Sequence, residues 1–133
     1  KKASAENLEF SRDELKKTAI VRDVKEKHHE IMILPTKVKK CTVTTIGNYA
    51  FSKSSIKSIE IPEGVTTIEN YAFAQCDSLV EIVLPTSIVS IEENAFQGST
   101  SLSKILIPSG TRNKFASMAG LKDMEDKLVE TNI

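Results

Sequence analysis

Residues 65–85, VTTIENYAFAQCDSLVEIVLP, return twice more in this chain: as VTTIGNYAFSKSSIKSIEIP over 43–62 and as IVSIEENAFQGSTSLSKILIP over 88–108. The repeat distances are 22 and 23 residues. Self-similarity at such a period marks a solenoid, in which one supersecondary unit stacks on the next. The columns align as Val43, Val65, Ile88; Ile46, Ile68, Ile91; and Ala50-Phe51, Ala72-Phe73, Ala95-Phe96. They continue as Ile56, Leu79, Leu102; Ile59, Ile82, Ile105; and Ile61, Leu84, Ile107, before each coil closes on Pro62, Pro85 or Pro108. With strands about 4.8 Å apart, each side chain lies on its equivalent one coil away.

The local chemistry agrees. SIEIP, EIVLP and KILIP alternate with period two, the pattern of a short half-buried strand. Ile59 and Ile61 point inward, Ser58 and Glu60 outward, and proline ends the strand because it has no N–H for the ladder. VTTI and IVSI supply a second extended segment per coil. One coil cannot bury its own apolar side, so stability comes from its neighbours. Truncating a core Phe costs about 3–5 kcal/mol against a net stability of about 5–15 kcal/mol, so one such loss endangers the whole array.

Terminal segments must cover the two apolar ends. FSRDEL carries a capping-box pattern, with Ser11 as cap, Glu14 completing the box and Phe10 stapled to Leu15, which predicts a short helix. TAIVRDV then predicts a strand, KEKHH a turn, and EIMIL a strand ending at Pro35. Met32, Leu34 and Pro35 match the Ile-x-Ile-Pro ending of the later coils, so this is a degenerate first coil. Between Pro35 and Val43 stand seven residues, including Cys41, where later coils have two. After residue 110 the period changes. Phe115, Met118 and Ala119 share a helical face, Gly120 is placed as a helix stop, and Leu121, Met124 and Leu128 continue an apolar stripe. The expectation is a single domain over 1–133. Residues 1–40 form a mixed helix/strand N-terminal cap, 41–110 three leucine-rich-type coils with parallel strands, and 111–133 a helical C-terminal cap.

Composition limits the function classes. The 133 residues balance 18 basic against 18 acidic side chains, but unevenly. Residues 1–40 hold 11 Lys/Arg against 7 Asp/Glu, whereas 41–110 hold 3 against 7. The repeats gather no basic surface, which argues against nucleic acid as partner. No apolar run approaches the roughly 18–20 residues that cross a bilayer, and the opening KKASAENLEF lacks the apolar stretch of a signal peptide. Two cysteines, Cys41 and Cys76, are no disulfide scaffold; Ser99 fills the place of Cys76 one coil later, so a small buried free thiol is expected there.

The coil I-x-I/L-P-x-x-V-x-x-I-x-x-x-A-F-x-x-C-x-x-L resembles the BspA-like leucine-rich repeat, also called the Treponema pallidum type, over roughly residues 30–130. IPSGTRNKFASMAGLKDMEDKLVE is similar to that family's closing segment. The resemblance implies bacterial secreted or cell-surface proteins with adhesion or protein-binding roles, an extracellular location and no catalytic motif.

The residues themselves offer little chemistry. His28 and His29 are adjacent and point in different directions, which suits a polar hairpin tip better than a metal site. Glu92-Glu93 stand among solvated turn residues, and no HExxH, CxxC, phosphate loop or GxSxG occurs. No catalytic, metal or cofactor site is expected. What the coils do offer is an outer strand face with two ladders, Ser58, Glu81, Lys104 and Glu60, Val83, Leu106. Val83 and Leu106 are apolar on the wet side, with acidic neighbours, either as the seed of a protein-binding patch or as β-rich positions that tolerate Val and Leu or that a terminal segment covers. Tyr49 and Tyr71 stack in the same manner, either as contact residues or as turn packing. The expected function is therefore non-catalytic binding of a protein (host matrix or envelope component) or a glycan. The alternative is a structural spacer of the cell envelope.

Overall fold

The structure, a computed structural model, describes residues 2–3, 8–24 and 31–131. Among these residues twelve strands run in chain order: β1 Lys2–Ala3, β2 Leu8–Asp13, β3 Thr18–Val24, β4 Ile31–Ile33, β5 Lys37–Val38 and β6 Cys41–Ile46. They continue with β7 Ser58–Glu60, β8 Thr67–Ile68, β9 Glu81–Val83, β10 Ser90–Ile91, β11 Lys104–Pro108 and β12 Leu128–Thr131. Among the described residues a single short α-helix, α1, spans Arg112–Ala116.

Two six-stranded sheets form, in the orders β1-β4-β7-β9-β11-β12 and β10-β8-β6-β3-β2, with β5 pairing β6 at the side of the second. Every pairing in the first sheet is parallel. Each coil gives one strand to each sheet: β3 then β4, β6 then β7, β8 then β9, β10 then β11, with β12 opening a further turn. This is a leucine-rich-repeat-like β-solenoid of about five turns. Met32 pairs in register with Ile59 and Val21 with Ile46, so β4 and β3 stack on the strands of the following coil.

The columns read from the sequence are the core. Ile46, Ile68, Phe51, Phe73, Ile56, Leu79, Ile59, Ile82 and Ile105 are all fully buried. The Phe rings form one stack, with centroids 5.2 Å apart from Phe51 to Phe73 and 5.5 Å from Phe73 to Phe96, within 12° of parallel. The Ala before each Phe is also fully buried, and the turns carry their own backbone ladder. Phe51 N–H donates to the Ala72 carbonyl at 2.7 Å and Phe73 N–H to the Ala95 carbonyl at 2.8 Å. Adjacent coils are thus hydrogen-bonded along their turns as well as their strands, which satisfies turn backbone that would otherwise be buried unpaired. The turn also needs a left-handed residue at Lys53, Gln75 and Gly98, and glycine meets that demand only in the last coil.

The N-terminal cap differs from expectation. Residues 8–13 are a strand, not a helix, and β2 pairs antiparallel with β3 through a turn over 14–17. Pairing with β3 wins because Leu8 and Phe10 alternate onto the core, leaving the capping residues with other tasks. Ser11 accepts a hydrogen bond from Arg22 Nε at 2.9 Å, and Leu15 projects into solvent instead of stapling to Phe10. The strands expected at TAIVRDV and EIMIL are present, and the KEKHH turn lies outside the described residues. The insertion before Val43 is the β5–β6 hairpin.

The C-terminal cap is only partly helical. After α1, with Phe115 buried, come two 3-10 turns, Ala119–Leu121 and Glu125–Lys127, and then strand β12. Leu128 pairs with Ile105, so it extends a column and not a helical stripe. Gly120 is no helix stop. It sits inside a 3-10 turn pressed on β10, where a Cβ would lie 2.5 Å from the Glu92 carbonyl. Close approach, not a left-handed backbone, demands glycine there.

Candidate functional site

Strands β7, β9 and β11 lie side by side and in register, so their outward side chains form rows. Ser58 faces Glu81 and Glu81 faces Lys104; Glu60 faces Val83 and Val83 faces Leu106. All six residues named from the sequence therefore meet on one face. Glu60 and Lys104 are exposed, and Ser58, Glu81, Val83 and Leu106 half-buried. The period of two does this: Ile59, Ile82 and Ile105 take the inner side of each strand and leave the alternate positions outside.

The rows extend beyond the expectation at both ends. β12 adds Val129 to Leu106, and Val129 is 42% exposed. β4 adds Ile31 to Ser58, and Ile31 is 41% exposed. Val83, Leu106 and Val129 thus form an apolar row three strands wide, about 10 Å at strand spacing. Val80, just before β9, is 43% exposed, on the other side of the Ser58–Glu81–Lys104 row. The apolar spacing of the tail fits a helical period and so conceals Val129; the β-branched pair in LVET is the signal for a strand. Beside the row an open groove of about 270 Å³ is walled by Glu60, Val83 and the strand-ending Pro62, Pro85 and Pro108.

Several other candidate side chains serve the fold. Glu69 and Glu92 accept backbone N–H bonds from Asn48 (3.2 Å) and Asn70 (2.8 Å) of the preceding coil. Glu63 takes both the N–H and the hydroxyl of Thr86, each at 2.7 Å. Cys41 and Cys76 are buried thiols outside any disulfide, as expected for Cys76. The Cys76 thiol donates to the Phe51 carbonyl at 3.0 Å. Tyr49 and Tyr71 stack at 5.1 Å, with Tyr49 58% exposed, at the coil turns and away from the strand face. His28 and His29 lie outside the described residues, and among the described residues no cluster of His, Cys, Asp or Glu is arranged for a metal. No helix among them is long and apolar enough to cross a membrane.

Comparison with known proteins follows the same lines. The family model of the BspA type Leucine rich repeat region matches residues 34–124, in 6 copies. The crystal structure of the T. pallidum Leucine Rich Repeat protein is similar with TM-score 0.72 at 23% identity, covering 80% of this chain and 53% of that one. A leucine rich cell surface protein from Faecalibacterium prausnitzii A2-165 is similar with TM-score 0.58 at 20% identity, covering 86% and 41%. This chain thus spans about half or less of the length of those two proteins, and at such identities the likeness concerns the fold. Among curated proteins none matches.

Proposed function

The chain belongs to the BspA-type leucine-rich repeat family, and from that premise we propose that it is a non-catalytic cell-surface module that captures a protein through the outer face of the β7–β9–β11 strands. The observation that carries this reading is the Val83–Leu106–Val129 row, apolar side chains in register on an outward face. Acidic Glu60 and Glu81 border it, and Lys104 stands at its edge. Apolar contact surrounded by charge is the composition of a protein interface core and rim. A glycan platform would call for aromatic groups, and the outward rows of these strands hold none. Surface location is supported by the description of the Faecalibacterium relative as a cell surface protein.

A face a few strands wide is small for a stable complex, so capture by one copy is weak and gains from repetition. The test is a pull-down from host extracellular matrix and from the producer's own envelope, with wild type and a variant altered at Glu60, Glu81, Val83 and Leu106. Loss of capture at an unchanged melting temperature supports the proposal. Capture that survives all four changes leaves the structural spacer as the better reading.

A further inference from the structure

Two turns far apart in sequence meet at one end of the β2–β3–β6 sheet. One spans residues 14–17, between β2 and β3; the other is Lys39–Lys40, between β5 and β6. β3 and β6 run parallel with Thr18 opposite Thr42, and the Thr42 N–H donates to the Lys17 carbonyl at 2.8 Å. The turns are therefore neighbours. They bring together Lys16, Lys17, Lys37, Lys39 and Lys40, all exposed. Of the nearby acids, Asp13 accepts the Leu15 and Lys16 N–H bonds, and Glu14 pairs with Arg12 at 3.2 Å, the one ion pair among the described residues. A charge that looked diffuse along the sequence is gathered by the fold into one basic end.

Two further features bear on this end. Lys17, Lys39 and Lys40 have left-handed backbones, with φ of 60°, 47° and 68°, as do Tyr49, Lys53, Tyr71 and Gln75 in the coil turns; Lys39 and Lys40 are two such residues in succession. Two successive positive φ values in a two-residue hairpin favour Asn-Gly, and an ordinary L-residue there is strained. Lys39 and Lys40 occupy such a pair, so the hairpin carries strain that Asn-Gly would relieve. Leu15 stands at the tip of the first turn, 96% exposed, the most exposed large apolar residue described. A protruding Leu among lysines matches a surface that is anionic outside and apolar just beneath.

We propose that this end of the molecule docks on an anionic lipid surface, with the lysines on head-group phosphates and Leu15 entering the acyl boundary. A soluble polyanion would engage the lysines and have no use for Leu15. One apolar side chain with a few lysines gives reversible, salt-sensitive attachment. The docking end belongs to the sheet opposite the proposed protein-binding face, so the two tests are separable.

The experiment is co-sedimentation with phosphatidylcholine vesicles, with and without phosphatidylglycerol, at low and high salt. Wild type binds the phosphatidylglycerol vesicles alone and is released by salt. Lys39→Asn/Lys40→Gly melts higher than wild type, because the strain is relieved, yet partitions well over tenfold more weakly, at roughly fivefold per lysine. Leu15→Ser weakens vesicle binding and leaves binding to heparin, a soluble sulfated polysaccharide, unchanged. The proposal is overturned if wild type ignores phosphatidylglycerol, if Leu15→Ser binds vesicles as wild type does, or if the lysine variant binds vesicles normally. A lower melting temperature of the lysine variant refutes the strain argument.

Discussion

The Ser99 hydroxyl donates to the Phe73 carbonyl at 2.5 Å and accepts the Cys76 N–H at 2.9 Å. It thereby fastens the last full coil to the one before it, at a site where both backbone groups are buried. Ser99→Ala removes both bonds and should cost about 1–3 kcal/mol. Cys76→Ser, which keeps a small donor within reach of the Phe51 carbonyl, should cost less. Urea unfolding of the two variants, with equal slopes, gives the comparison.

Phe73 stacks on rings on both sides, and Phe96 on one. Phe73→Ala should lose about 3–5 kcal/mol. Phe96→Ala should lose less by roughly one aromatic pair, about 0.5–1.5 kcal/mol. Equal losses would mean that the rings contribute as separate buried groups and not as a column.

Gly120 has no room for a methyl group against Glu92 and Ile91. Gly120→Ala should destabilise by about 1–3 kcal/mol, the usual range for overpacking. The effect should be local first: faster amide exchange at Glu92, whose N–H donates to the Ile68 carbonyl, before the inner coils respond.

The two cysteines are buried thiols outside any disulfide. A thiol reagent such as DTNB should react slowly with the native protein and rapidly with two equivalents in denaturant. Fast labelling under native conditions would show that the coil at Cys76 or the hairpin at Cys41 opens readily.

The repeats were legible because stacking makes equivalent side chains do the same work, so the columns, their order and the outward ladders follow from alignment of three segments. The ends were not, for physical reasons. At FSRDEL the capping pattern was genuine but local, and the strand won because β3 offered an edge and the core accepted Leu8 and Phe10. At the tail, Leu128 fits a helical stripe and a solenoid column equally well, and only the partner Ile105 decides between them. Val129 followed Leu128 out of sight. The gathered lysines were invisible for a related reason: turns 14–17 and 39–40 become neighbours only through the parallel pairing of β3 and β6.

The most direct test of the binding account compares the same change on the two sheets. Leu106 lies on the proposed face, whereas Val89, 68% exposed, leads into β10 of the opposite sheet. Partner capture should be abolished by Leu106→Lys and unaffected by Val89→Lys, with both variants melting near wild type. Equal capture by both variants, or loss with Val89→Lys alone, would contradict the assignment of function to the β7–β9–β11 face.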